Sequence, residues 1–147
     1  MKKNMNKGFS LVELIIVIAI MAVLVGVLAP QFIKYVESSR QSTDIDNLAE
    51  YKAAVEAAVA DVMAEGKSAD GIQIDVTGGA NGTISLSGND DVEEKVGEVG
   101  LGSTDLKSSG WASGSASYDD EEFEWTTSGL DSENDKKPHK KLIAAFE

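Results

Sequence analysis

Residues 14–33 read LIIVIAIMAVLVGVLAPQFI, twenty consecutive positions without a charge, bounded by Glu13 and Lys34. At ~1.5 Å per residue such a run spans roughly 30 Å as a helix, the thickness of a bilayer's hydrocarbon core. No soluble helix of this length needs to be apolar on every face, so the run predicts a membrane segment. Ahead of it stands MKKNMNKG, residues 1–8, in which Lys2, Lys3 and Lys7 have no acid to offset them. Cationic flanks stay on the cytoplasmic side, which orients the segment N-terminus inward. The residues after Ala29, PQFIKYVES, offer no small-residue pattern of the kind cut by secretory signal peptidase. The apolar run is therefore expected to be retained.

One charge lies within the first turns of this region. Glu13 costs on the order of a few kcal/mol in lipid unless it finds a partner. Pro30, near the other end, removes the bond to the carbonyl of Gly26, itself a poor helix former, so residues 26–30 are the place where the helix is expected to bend or open. The sequence leaves a tolerated bend and a stretch that unwinds on packing as equal alternatives.

Taken together, the short basic leader, the Gly8–Phe9 junction, Glu13 and the apolar run in KGFSLVELIIVIAIMAVLVGVLAP resemble the N-terminal signature of type IV pilins and pseudopilins. The resemblance covers roughly residues 2 to 35. It implies that a membrane prepilin peptidase cuts after Gly8 and methylates the new N-terminus at Phe9. It also implies that Glu13, fifth in the mature chain, pairs with the terminal amine of a neighbouring subunit's Phe9. Pro30 falls where the family often has proline. The physics agrees with these roles. Glycine leaves the backbone bare for a protease, and pairing across subunits relieves a charge that the lone subunit carries in lipid.

Beyond Ser39 the pattern changes. Ile45, Leu48, Tyr51, Val55, Val59 and Val62 recur in steps of three and four, predicting an amphipathic continuation of the helix to Glu65 with Gly66 as its terminator. In this reading Asp44, Glu50, Lys52, Glu56, Asp61 and Glu65 occupy the other faces. If residues 9–65 form one helix its length is roughly 85 Å.

Twelve of the 14 glycines lie beyond Glu65. Alternation at Ile72, Ile74, Val76 and at Ile84, Leu86 around TGGANG predicts a hairpin over 72–87. Asp90 with Glu93 begins a short helix over 90–99, with Val92, Val96 and Val99 on one face. Residues 111–118 and 122–127 have strand character, and residues 142–146 form a strand or a helical turn. Trp111, Phe123 and Trp125 are read as core aromatics. The expected fold is α+β, the type IV pilin fold. A long N-terminal helix has its apolar half free and its amphipathic half packed on an antiparallel sheet of three to five strands. The expected divisions are 1–8, 9–33, 34–65 and 66–147.

Composition excludes most chemistry. The 147 residues hold no cysteine and one histidine, His139, which rules out disulfides, thiolate zinc sites and imidazole clusters. The disulfide that often staples the C-terminal loop of pilins is thus missing, and that region needs another device. A net charge of −12 opposes nucleic-acid binding. Asp131, Glu133 and Asp135 are weak calcium candidates, because Lys136 stands where an EF-hand loop has glycine and Leu142 where it has its bidentate glutamate. A solvated acidic surface is the simpler reading, and no cofactor is expected. Lys136, Lys137, His139, Lys140 and Lys141 form the basic patch outside the leader, read as a solvated turn around Pro138 or a partner for the acidic 119–135 segment. No nucleophile–base pair or phosphate loop is present, so no enzyme is expected.

The resemblance implies a non-enzymatic filament subunit whose partners are the membrane, the prepilin peptidase, the pilus assembly machinery and further copies in a helical filament. Its place is the cytoplasmic membrane as a precursor and the cell surface once assembled, in adhesion or twitching motility. The alternatives are a pseudopilin of a secretion or competence system and, in another class, a membrane-anchored binding module. Glu13 opposes the last, since a simple anchor has no use for it.

Overall fold

The computed structural model describes residues 8–101, 104–129 and 145–146. Element order is α1 (Leu11–Ala64), β1 (Gln73–Thr77), β2 (Thr83–Ser87), α2 (Asp90–Val99), β3 (Gly114–Asp119) and β4 (Glu124–Ser128). The α+β pilin-like arrangement expected from the sequence is what is found: one long N-terminal helix and a small antiparallel sheet. By packing the chain divides into Met1–Ser38 and Ser39–Glu147.

In the first unit, α1 carries large apolar side chains on every face. Seventeen of them between Leu11 and Tyr35 are exposed by 50–74%. The helix runs on through Gly26 and Pro30 without interruption, as the alternative of one continuous helix has it, and opening on packing concerns neighbours that a single chain does not contain. Isolated prolines are tolerated where the freed carbonyl loses only one bond.

In the second unit, α1 buries Leu48, Tyr51, Val55, Ala58, Val59 and Val62, the stripe that the spacing predicted, widened by one alanine. Its C-terminus closes as a Schellman motif. Gly66 takes φ 79, its N–H donates to Met63 O at 2.9 Å, and Lys67 N donates to Val62 O at 3.2 Å. A left-handed residue is needed at this place, which only glycine supplies without strain.

The stripe packs with the inner face of a four-stranded sheet of order β2-β1-β3-β4. Ile74 faces Leu86 and Val76 faces Ile84 across the hairpin, and Ile74 pairs with Ala116 of β3 on the other side. The core is therefore built by Ile74, Val76, Ile84 and Ala116 from the sheet, Val92 and Val96 from α2, and the α1 stripe. Alternate residues point the other way, giving a polar outer face. The strand β2 is not a bare edge: Ile84 N donates to Thr104 O and Leu106 N to Gly82 O, both at 2.8 Å.

Several sequence expectations shift by a residue or more. The cap of α2 is Asn89, whose side chain accepts from Val92 N at 3.2 Å, rather than Asp90. Val99 is 61% exposed and leaves the shared face. Residues 111–113 precede β3 instead of joining it, and β4 begins at Glu124, not 122. Phe123 is not a core aromatic. It sits in the β3–β4 turn at φ 59 and is 64% exposed, because Asp119 captures the backbone of the preceding residues. Trp111 is buried as expected and Trp125 is half-buried on the inner face. Of the C-terminal element, Ala145 and Phe146 form a turn, while residues 142–144 lie outside the described residues.

Candidate functional site

The N-terminal segment is built from a helix start. Gly8, Phe9 and Ser10 precede α1 and are exposed, Phe9 by 91%. Ser10 N donates to Glu13 Oε2 at 2.9 Å, and Leu14 N donates to Ser10 O at 3.2 Å. This is the S-x-x-E arrangement in which the glutamate three residues into a helix reaches back to the first free backbone N–H. Glu13 therefore holds a local partner, a role the sequence reading did not assign. The peptide bond between Gly8 and Phe9 lies in open chain just outside the helix. A Cβ built at Gly8 or at Gly26 meets nothing within 4 Å, so neither glycine is demanded by packing within the chain.

A second constellation lies in the head, and the periodicity reading missed it. Asp44 is fully buried, on the same face as Leu48 and Tyr51. Its Oδ1 accepts from Lys107 N at 2.6 Å, and its Oδ2 accepts from Ser108 N at 2.8 Å and from Trp111 Nε1 at 2.7 Å. One helix carboxylate thus clamps the 107–111 loop through three N–H donors, each bond strengthened by the ionised acceptor. The sequence shows only that Asp44 lies four residues before Leu48, on the apolar stripe itself; its loop partners are 63 and 64 residues away and leave no local mark.

A second tie joins Phe146 to the same helix. Lys52 Nζ donates to Phe146 O at 3.2 Å and lies 5.9 Å from the ring centroid. The ring lies tilted against Trp125 with centroids 5.5 Å apart, and Trp125 Nε1 donates to Glu56 Oε1 at 2.8 Å. At the other end of the helix, Glu65 pairs with Lys95 at 2.8 Å and Lys67 at 3.4 Å, while Lys67 reaches Asp91 at 2.6 Å. The hydrogen bond from Lys95 holds the Glu65 carboxyl below its ordinary range, and Glu65 in turn raises Lys95. The carboxylate's contribution is present above its unfolded pKa and fades as pH falls through the lowered folded value; the lysine's fades as pH rises through its raised one. These groups are solvent-exposed, so the effect is small. The melting-temperature difference between the chain and Lys95→Met should be slight at neutral pH and disappear in acid, as a thermal melt at two pH values will read.

Among the described residues no group of three or more acidic or histidine side chains is arranged to hold a metal. The calcium candidates Asp131, Glu133 and Asp135, and the basic run from Lys136 to Lys141 with His139, lie outside the described residues.

Residues 3–29 match the family described as the prokaryotic N-terminal methylation motif. The chain is 35% identical over 103 residues to a type IV major fimbrial protein FimA of Dichelobacter nodosus, covering 67% of this chain and 61% of that protein. Over these 103 residues the chain is similar to type IV fimbrial proteins. It is also 36% identical over 94 residues, 61% of each chain, to the prepilin peptidase-dependent protein A of Clostridium perfringens. A 56-residue match at 41% identity, 38% of this chain and 36% of the relative, reaches fimbrial protein Q of Moraxella bovis. The chain spans about 61% of the length of the first two relatives. No solved structure matches it significantly. Two of these relatives are fimbrial proteins by name and the third is a prepilin peptidase-dependent protein.

Proposed function

We infer that this chain is the structural subunit of a type IV filament, made as a membrane precursor, cut after Gly8, N-methylated at Phe9 and polymerised through α1. The observation that carries this reading is the uncovered helix. The most apolar stretch of α1 is long enough to cross a membrane, and none of it is buried within the chain. Each large apolar side chain there gains ~1.5–3 kcal/mol on full burial, so the segment must lie in lipid or among copies of itself. Lipid covers it in the precursor; neighbouring helices cover it in the filament.

The start of the chain fits the processing step. The Gly8–Phe9 bond is exposed and non-helical, as a protease requires of the segment it extends in its cleft. Cleavage takes Lys2, Lys3 and Lys7 with the leader, leaving 10 basic against 25 acidic side chains. The mature subunit thus carries −15, a charge that belongs on the outside of a polymer. The new Phe9 amine supplies the counter-charge for Glu13 of an adjacent copy. Gly26 and Pro30 provide the stretch where α1 opens as helices pack. Adhesion or motility is the role of such a surface fibre; in a secretion or competence system the same subunit would make a short pseudopilus.

Mass spectrometry of the N-terminal peptide from sheared surface filaments tests this directly. The expected peptide begins at Phe9 with a methylated amine. A peptide beginning at Met1 in assembled filaments, or no filaments containing this chain, would overturn the reading.

A further inference from the structure

Two exposed apolar patches of opposite charge remain once the core, the Asp44 clamp and the Glu13 cap have been accounted for. The first is the β3–β4 turn. Asp119 Oδ1 accepts from Glu121 N and Glu122 N, both at 2.9 Å, and Phe123 N donates to Asp119 O at 2.9 Å. Asp120 Oδ2 accepts from Ser68 Oγ at 3.4 Å, tying the turn to the residues that follow α1. These bonds fix the turn in one conformation. Phe123 is thereby held at φ 59, a backbone state that bulky residues rarely adopt, with its ring 64% exposed among the exposed Glu121, Glu122 and Glu124.

The second patch is on α1. Phe32, Ile33 and Tyr35 are exposed by 67%, 67% and 74%, with Lys34 among them. Lys34 and Arg40 are the two cations between the leader and Lys52. With the half-buried Glu37 counted, residues 32–40 carry +1, while residues 119–124 carry −5.

We propose that in the filament the Phe123 turn of one copy docks on the Phe32–Tyr35 stretch of another, with Glu121 and Glu122 facing Lys34 and Arg40. This rests on the filament reading. The occupant is a second copy of the chain because the charges select it. Five carboxylates keep the turn out of lipid and away from anionic headgroups, whereas the complementary stretch, apolar and cationic, stands on every subunit. The arrangement is that of a protein interface in miniature: an aromatic anchor at the centre and charged groups at the rim that set orientation and rate. Because the two patches differ, the contact is heterologous. Repetition of a heterologous contact whose rotation does not close gives an open helical polymer, not a dimer.

The absence of cysteine makes the test clean. In cells co-expressing Phe123→Cys and Tyr35→Cys subunits, mild oxidation of sheared filaments should give a disulfide-linked pair that requires both variants. Thr77→Cys, on the outer sheet face, should give none with Tyr35→Cys. Reversing Glu121 and Glu122 to lysine should lower filament yield on the order of tenfold, and adding Lys34→Glu with Arg40→Glu should restore most of it. All four charged positions are on the surface, so an unchanged thermal melt of each full-length variant shows that the fold is intact. Filaments at normal yield after charge reversal, with no disulfide linking the Phe123→Cys subunit to the Tyr35→Cys subunit, overturn the docking and leave the subunit reading standing. Cross-linking of Phe123→Cys to a different protein alone also overturns it. If the unaltered chain forms no filaments, both readings fall.

Discussion

Replacing Asp44 by alanine should be the most damaging single substitution in the head, lowering its stability by about 3–5 kcal/mol. Three N–H donors, from Lys107, Ser108 and the Trp111 indole, would lose their acceptor at once in a site that water does not reach, Asp44 being fully buried and Ser108 1% exposed. Against a total of ~5–15 kcal/mol for a small domain this is a large fraction. The comparison that separates the hydrogen bonds from the charge is Asp44→Asn. Its amide keeps one acceptor oxygen but turns an NH2 towards a donor, so the loss should approach that of alanine. Trp111→Phe removes one donor and leaves the carboxylate satisfied twice, so it should be milder, about 1–2 kcal/mol. Urea melts of the full-length chain in detergent, followed by the near-ultraviolet signal of Trp125, which all three variants keep, will order them. Asp44→Ala with an unchanged midpoint would show that the clamp contributes nothing.

The physics behind that expectation explains why the clamp was not visible from the sequence. A period-3.6 reading sorts residues by polarity and assigns every carboxylate to the solvent side. Asp44 falls on the apolar stripe by position and was set aside by type, yet its partners come from a loop more than 60 residues away. No local pattern encodes a long-range backbone donor. What is locally encoded was legible. The uncharged run from Leu14 to Ile33 needs only composition and length. The hairpin needs only alternation and the TGGANG turn, and the helix over 90–99 only its valine spacing. Phe123 failed for a different and local reason, a turn held by a side chain rather than by the strand pattern. Alternation placed it in a strand, whereas Asp119, four residues earlier, holds the turn that exposes it. The strand order, with β3 beside β1 on the side away from β2, is a long-range fact. The N-terminal candidates were readable as a motif, and the structure adds what a motif cannot: a side chain placed at Gly8 or Gly26 would meet nothing in its own chain, so packing within the chain does not require glycine at either place.

Glu13 is the residue for which inside and outside requirements can be separated, and removing it should have the largest effect on assembly. In the single chain its carboxylate does local work, accepting the Ser10 N–H at the start of α1. That bond asks only for an acceptor oxygen, which glutamine also has, and a capping interaction of this kind contributes about 0.5–2 kcal/mol. The proposed pairing with the Phe9 amine of another copy asks for a negative charge in a medium where an unpaired ion costs several kcal/mol. The two roles therefore predict different variants to fail. If capping were all, Glu13→Gln would assemble normally and Glu13→Ala would be mildly impaired. If the charge pairs across subunits, Glu13→Gln and Glu13→Ala should both be cut after Gly8 as efficiently as the unaltered chain and both should fail to accumulate in filaments, with yield down by a factor of ~10² or more for a lost pair worth about 3 kcal/mol. Immunoblots of the membrane and sheared fractions read both steps in one experiment, the first by the shift on leader removal and the second by the amount sheared. Normal filaments from Glu13→Gln would reduce the residue to a helix cap. Accumulation of the uncut precursor would move its role to the peptidase, where the exposed bond beside an ordered helix start is the feature being recognised.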